Sequence, residues 1–306
     1  MPLLPSSHID TFARDNLPPE SEWPLFSFGL PRLQWPDRFN CVEWLLDESL
    51  GQIDPGKPAI LFRDDVWSYA ELLEQTNRIC HVLVEDLGIV PGNRVLLRGI
   101  NSPTLFALWL AVIKVGAIAV CTMPLLRSRE LREIAEKAQI RLAICQDDLV
   151  GELEPLIGTS TLDRLVAYGK PVTELERLAR GKSNRFAAVP TSQDDVCLLA
   201  FTSGTTGKPK ATMHSTATWP QCARRSPRTC CREAPMRSLP ERHLSPLPLD
   251  WVRCSYSRCI FALPPQSPKP ALQRHWASPY SGSGRRMYSP PLLPTRCSRP
   301  GLLSSI

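Results

Sequence analysis

Apolar and polar positions alternate in blocks that predict strands and helices from about residue 57 onward. Ala59 to Phe62 is a short apolar run of the kind that forms a buried strand. Ser68 and Glu71 then form an S-x-x-E capping box, which predicts the first turn of a helix. The helix is predicted to end near Gly88, and its apolar positions are Leu72, Leu73, Ile79, Cys80 and Leu83.

The same strand-then-helix pattern continues along the chain. The next predicted elements are a strand at Arg94 to Leu97, a helix from the N-cap Ser102 and Pro103 to about Val115, a strand at Ala117 to Met123, a helix from the N-cap Ser128 to about Ala138, and a strand at Arg141 to Cys145. Repeated β-α-β units with short connections predict an α/β fold, with a largely parallel sheet covered by helices on both faces. Residues 152–184 are more polar and predict irregular structure. Val196 to Phe201 predicts one further buried strand, and Lys210 to His214 predicts the start of another.

Composition changes abruptly after His214. The formal net charge is −5 over residues 1–214 and +11 over residues 215–306, and 15 of the 31 prolines lie in this second part. Proline at that density interrupts helices and central strands, so a disordered Pro/Arg/Ser-rich tail is predicted. The predicted organisation is an N-terminal extension with a first helix at 1–50, an α/β segment at 51–214, and the tail at 215–306.

Leu105 to Leu126 is apolar enough to suggest a membrane span. Lys114 lies in its middle and Gly116 is a predicted helix C-cap, so a buried helix followed by a buried strand fits better. The N-terminus lacks a basic region followed by an apolar stretch, and a secretory signal is therefore not predicted. A cytoplasmic protein without a transmembrane segment is expected.

The cysteines do not form a metal-binding pattern. No C-x-x-C pair occurs in the sequence, and we assign no metal site. Five cysteines lie in apolar runs before His214 and are expected to be buried, reduced thiols: Cys41, Cys80, Cys121, Cys145 and Cys197.

The segment most indicative of function is a loop that directly follows the predicted Val196 to Phe201 strand. It contains Thr202, Ser203, Gly204, Thr205, Thr206, Gly207, Lys208, Pro209 and Lys210. Glycines let backbone N–H groups turn toward an anion, while hydroxyls and lysines add donors and positive charge, so the loop predicts a phosphate site. The glycine spacing excludes a Walker A loop and with it a P-loop kinase. Without a G-x-S-x-G elbow, Ser203 and His214 are not a hydrolase pair.

This nine-residue loop resembles the T-S-G-T-T-G-x-P-K signature of the adenylate-forming acid-CoA ligases. Three upstream segments are also similar to that family: 67–72 (WSYAEL), 88–95 (GIVPGNRV) and 108–117 (LWLAVIKVGA). Two more, 35–40 (WPDRFN) and 122–127 (TMPLLR), are most similar to 2-aminobenzoate and benzoate CoA ligases, with medium-chain acyl-CoA synthetases next.

The resemblance implies a two-step reaction with ATP, Mg²⁺ and CoA. A carboxylic acid and ATP give an acyl-adenylate and pyrophosphate, and the CoA thiolate then displaces AMP. Thr202 to Lys210 would hold the β- and γ-phosphates by electrostatic positioning. The resemblance implies small-molecule partners only, and it leaves the oligomeric state and the acid open.

The resemblance is expected to end at about His214. Family members continue with an aromatic-Gly-x-Thr-Glu motif whose glutamate helps to hold magnesium, and later with a catalytic lysine. Here the last glutamate is Glu241, the last aspartate is Asp250, and Lys269 is the sole lysine after Lys210. We therefore assign no catalytic residue and expect the 306-residue chain to be truncated and inactive, through an out-of-frame tail.

A non-enzymatic alternative stays open. The chain could be a non-catalytic nucleotide-binding or decoy protein that binds a partner through its basic, disordered tail. The tail has no aromatic stacking pattern or amphipathic period, so any binding to nucleic acid would be non-specific.

Overall fold

A computed structural model describes residues 3–23, 34–62, 65–202 and 209–218. Its strands are β1 (Pro58–Phe62), β2 (Asp65–Ser68), β3 (Arg94–Arg98), β4 (Ile118–Thr122), β5 (Leu142–Gln146), β6 (Arg164–Tyr168), β7 (Val196–Thr202) and β8 (Lys210–Ser215). Its α-helices are α1 (Phe12–Asp15), α2 (Glu48–Leu50), α3 (Tyr69–His81), α4 (Pro103–Lys114), α5 (Ser128–Lys137) and α6 (Glu174–Ala179). Predictions for residues 219–306 lie outside the described part of the chain.

Six of these strands form one sheet in the order β6-β5-β3-β4-β7-β8. The first five pair in parallel, and β8 runs antiparallel beside β7. β4 lies on one side of β3 and β5 on the other, so the chain reverses its direction of winding at β3. The α/β fold with a largely parallel sheet is confirmed.

Alternating side chains of the strands build an apolar core on each face of the sheet. On one face, Leu97 of β3 packs with α3, α4 and α6; on the other, Leu96 packs with α1 and α5. The central strands are buried on both faces, which explains why their sequences are continuous apolar runs.

Local capping signals place the two longest helices. The Ser68 hydroxyl accepts a hydrogen bond from Glu71 N, and Ser68 N donates to the Glu71 carboxylate, completing the predicted capping box of α3. The Ser102 hydroxyl accepts from Leu105 N at the start of α4. Gly116 ends α4 with a positive φ of 77°, a backbone conformation that favours glycine.

Three sequence-based assignments differ from the structure. The polar stretch 152–184, predicted to be irregular, contains β6 and α6. β1 does not enter the parallel sheet but pairs with β2 in a separate antiparallel hairpin. Arg127, and not Ser128, is the N-cap of α5, because Ser128 already has helical geometry and its hydroxyl donates to Glu152.

The prediction of buried thiols holds for four of the five described cysteines. All are free; four are buried, and Cys121 is half-buried. Burial raises the pKa of Cys145 to about 12, which keeps that thiol protonated. Within the described residues, no helix is both long and apolar enough to cross a membrane.

Candidate phosphate-binding site

The β7–β8 hairpin carries the predicted phosphate loop. Thr202, at the end of β7, stands opposite Lys210, at the start of β8, and its hydroxyl donates to the Lys210 carbonyl over 3.5 Å. The structure therefore brings the two ends of the predicted loop together. Six further predicted residues lie outside the described part: Ser203, Gly204, Thr205, Thr206, Gly207 and Lys208.

The loop leaves the sheet at the carboxyl edge of its parallel strands. β4 and β7 are in parallel register, with Cys121 beside Ala200, so both strands end at the same edge. Open α/β sheets bind ligands at this edge. Thr202 is exposed and Lys210 is half-buried there, so both can reach a ligand.

Arg98 fixes the neighbouring loop at this edge. Its guanidinium donates to the carbonyls of Met123, Pro124 and Leu126 over 3.2, 2.9 and 2.8 Å. The side chain is almost fully buried, and that burial lowers its pKa below the usual arginine range. Residues 123–126, which follow β4, are thereby held in one conformation beside the strand that leads into the phosphate loop.

Glu152 holds the start of α5 at the same edge. Its carboxylate accepts from Arg127 over 2.8 Å and from the backbone N and hydroxyl of Ser128 over 2.9 and 2.7 Å. These interactions, the Arg127 hydrogen bond foremost, lower the pKa of Glu152 to about 2.

At its other end α5 reaches the phosphate loop, because Lys137 Nζ donates to the Pro209 carbonyl over 3.0 Å.

Asp195 anchors the base of the hairpin. Its buried carboxylate accepts from the Ser6 hydroxyl, from Ser7 N over 3.0 Å and from Ser192 N over 2.8 Å. The Asp195 carbonyl also accepts from Thr216 N, just after β8. One residue thus joins the N-terminal segment to both strands of the hairpin.

His214 is far from the loop along β8. It stands opposite Leu198, four residues beyond Lys210, which is about 13 Å in an extended strand. Burial lowers the pKa of His214, so the ring is neutral at pH 7. Its position gives it no role as a base for the loop.

The donors at the described ends of the loop suit phosphate and not magnesium. Thr202 offers a hydroxyl and Lys210 an ammonium group, whereas Mg²⁺ prefers carboxylate oxygens. The described ranges hold no cluster of three or more His, Cys, Asp or Glu residues that could bind a metal. The ion does not fit the donors found here, and no step is assigned to it.

Sequence reasoning missed Arg98 and Asp195. Arg98 ends an apolar strand, where an arginine is unusual inside a buried run, and that anomaly was the available signal. Asp195 precedes β7 in an Asp-Asp pair, but no pattern shows that two of its hydrogen-bond partners, Ser6 and Ser7, are almost 190 residues away.

Comparison with known proteins identifies the family. The sequence profile of the AMP-binding enzymes matches residues 48–263, and the chain belongs to that family. This result confirms the resemblance to adenylate-forming ligases. We expected the resemblance to end at about His214. The matched region instead extends past that residue, to 263.

Two curated relatives of the chain are CoA ligases that act on aromatic acids. The chain is 32% identical to the benzoate–CoA ligase of Thauera aromatica over 189 residues, covering 60% of this chain and 35% of that protein. It is 28% identical to the 3-hydroxybenzoate–CoA ligase of Aromatoleum sp. (strain CIB), covering 58% and 34%. The chain thus spans about a third of the length of these curated relatives.

A solved structure agrees with the described fold. The anthranilate CoA ligase AuaEII in complex with anthranoyl-AMP superimposes with a TM-score of 0.58 at 25% identity, covering 62% of this chain and 37% of that one.

Proposed function

We propose that this chain carries the N-terminal, phosphate-binding part of an enzyme that ligates a carboxylic acid to CoA through an acyl-adenylate. The observation that carries the proposal is the T-S-G-T-T-G-K-P-K loop, whose ends Thr202 and Lys210 stand side by side at the carboxyl edge of the sheet. The family relationship supports ATP as the nucleotide.

In this reaction the loop binds and orients the triphosphate and does not act as a nucleophile. The Lys210 ammonium and the hydroxyls of Ser203, Thr205 and Thr206 stabilise the negative charge that builds up on pyrophosphate as it leaves. Arg98 and Asp195 act indirectly, by holding the adjacent loop and the base of the hairpin.

An aromatic acid is the proposed substrate class, and a medium-chain acid is the second choice. The support is that the relatives named above are benzoate, 3-hydroxybenzoate and anthranilate CoA ligases. A cytoplasmic location remains part of the proposal.

We further propose that the 306-residue chain does not complete adenylation, because residues 215–306 contain only three acidic residues and no aromatic-Gly-x-Thr-Glu motif. The test is to sequence the transcript across codons 205–306 and translate all three frames. We expect another frame to encode the motif, and the corrected product to catalyse benzoate-dependent ATP–pyrophosphate exchange.

Two results would contradict this account: the first refutes the inactivity of the chain, and the second refutes the out-of-frame tail. Robust exchange by the purified 306-residue chain would show that its tail supplies the missing groups. Confirmation of the given frame, together with an inactive chain, would favour the non-catalytic nucleotide-binding or decoy protein.

A further inference from the structure

The N-terminal segment, residues 4–17, forms a strap at the amino edge of the parallel strands. Its first part contacts the residues that precede β7. Leu4 N donates to the Asp194 carboxylate over 3.0 Å, and Ser7 N donates to the Asp195 carboxylate over 3.0 Å. The strap therefore contacts the base of the β7–β8 hairpin, at the end opposite to the phosphate loop.

The second part of the strap contacts the start of β3. Asp10 N donates to the Pro91 carbonyl over 3.0 Å. The Asp10 carboxylate forms an ion pair with Arg94 and accepts from Asn93 Nδ2 over 2.9 Å. The guanidinium of Arg94 also lies 4.7 Å from the centre of the Phe12 ring. These directional contacts give the strap one defined docked position.

Gly92 makes this close approach possible. Its φ is +90°, and a Cβ at this position would lie 2.1 Å from the Asp10 carbonyl oxygen and 2.9 Å from His8 Cβ. A side chain at residue 92 would therefore collide with the strap backbone and would also strain its own backbone.

The strap is held mainly by polar contacts. Its buried apolar side chain Ala13 is small, and Leu17 is only partly buried against the core on the α5 face. Ile9 is 70% exposed. A terminal segment with few buried apolar contacts opens at a low cost in free energy. The strap can therefore open while the sheet stays folded.

Asp195 connects the strap to the closure of the hairpin. Its buried carboxylate accepts from Ser6 and Ser7 of the strap. Its backbone carbonyl accepts from the N and the hydroxyl of Thr216, over 2.9 and 3.0 Å, just after β8. Opening of the strap removes two donors from the residue that closes the base of the hairpin.

The hairpin has little other support at that end. β8 lies at the edge of the six-stranded sheet, with β7 as its neighbour. The register between the two strands shifts between Val196 and Leu198, next to Asp195. An edge pair that is irregular near its base depends on adjacent contacts to stay closed. Loss of the strap contacts is therefore expected to loosen the hairpin from its base toward the loop.

We propose that the strap is a detachable latch on the phosphate hairpin, and that the docked strap and ATP bound at the loop stabilise each other. If docking of the strap tightens ATP binding by some factor, ATP must favour the docked strap by the same factor. The nucleotide part of this proposal rests on the proposed function, whereas the effect of the strap on the hairpin does not.

The test is hydrogen–deuterium exchange of the full 306-residue chain, with and without ATP, in two glycine variants. Gly92→Ala should displace the strap. Gly88→Ala is the matched control, because Gly88 also has a positive φ, of 64°, but a Cβ there meets nothing within 4 Å. Both variants strain the backbone, and only Gly92→Ala adds an atom against the strap.

We expect Gly92→Ala to speed exchange without ATP at least about fivefold in residues 4–14 and 195–199. It should also raise the ATP concentration at half-protection of the hairpin about fivefold, at the lower end of coupling between sites. Gly88→Ala should match the wild type in both segments and in this midpoint. In the wild type, ATP should slow exchange in the strap as well as in the hairpin.

Asp10→Asn is a second variant, which removes the ion pair with Arg94 without adding an atom or backbone strain. It should act in the same direction as Gly92→Ala, by about threefold. Asp163→Asn is its control for charge, because Asp163 is largely exposed and 3.8 Å from Arg141. Circular dichroism checks that each variant keeps its fold.

Three results would overturn the proposal. The first is unchanged strap exchange in both Gly92→Ala and Asp10→Asn. The second is a faster strap in these variants with unchanged exchange in residues 195–199 and an unchanged ATP midpoint. The third is an equal effect of Gly88→Ala and Gly92→Ala on the hairpin. If ATP protects neither strap nor hairpin in the wild type, the proposed phosphate site is refuted, and exchange without ATP still decides whether the strap holds the hairpin.

Discussion

At the residue scale, a few long-range polar contacts hold the hairpin that carries the loop. Asp195 is buried, yet its carboxylate oxygens accept from Ser6, Ser7 and Ser192. A buried carboxylate is stable only when such donors compensate for lost hydration. The N-terminal segment therefore helps to hold the base of the hairpin that carries the proposed phosphate site, although it is distant in sequence.

Asp195→Asn is expected to lower the free energy of unfolding by about 2 kcal/mol, because an amide nitrogen cannot accept these hydrogen bonds. Urea denaturation measures the change. Asp163→Asn is the control: Asp163 is largely exposed, 3.8 Å from Arg141, and its loss should cost less than about 0.5 kcal/mol. Equal effects of the two substitutions would show that Asp195 has no special role.

Glu152 should make stability depend on pH in the acid range. Its pKa is lowered from 4.5 to about 2 in the folded chain, mainly by Arg127. The stabilisation is fully present above pH 4.5 and is lost as the pH falls toward 2. Wild-type stability should therefore fall more steeply than that of Glu152→Gln between pH 4.5 and 2 in urea titrations. Parallel curves would contradict this assignment.

At the element scale, the sequence predicts those elements whose signals are local. The α3 capping box and the Ser102-Pro103 start of α4 depend on residues within one turn, and both were predicted from spacing alone. The central strands were predicted because burial on both faces makes them continuous apolar runs.

Other elements depend on contacts that spacing does not reveal. β6 is an edge strand with a partly exposed face, so its sequence lacks a continuous apolar run. β1 was recognised as a strand, but its pairing with β2 depends on a neighbouring segment that the sequence pattern did not mark. The phosphate loop remains a prediction from its motif, whereas the contacts of Arg98 and Asp195 beside it could be seen only in the fold.

Ser68→Ala is expected to destabilise the chain by about 1 kcal/mol, because it removes the hydroxyl that caps Glu71 N. Thermal unfolding monitored by circular dichroism measures the loss. Ser68→Asn restores a capping side chain and should recover most of the stability. A Ser68→Ala variant as stable as the wild type would mean that the capping box contributes nothing.

At the scale of the whole molecule, fold, loop and relatives point to the same function. The sheet ends its parallel strands at one edge, the hairpin places the loop there, and the chain belongs to the AMP-binding enzymes. The chain spans about a third of the length of its curated relatives. Of the proposed reaction, binding of the nucleotide phosphates is therefore the step that can be tested directly on these residues.

The most direct test measures ATP binding to the full chain through hydrogen–deuterium exchange of residues 196–215. The wild type is compared with the Lys210→Ala variant. ATP should slow exchange in this hairpin, and Lys210→Ala should weaken binding at least about tenfold, since a charge-assisted contact is lost. Lys182→Ala, which removes a lysine paired with Glu85 and Asp86, should bind as the wild type does. No ATP-dependent change in the hairpin, or unchanged binding by Lys210→Ala, would contradict the assignment of this loop as the ATP phosphate site.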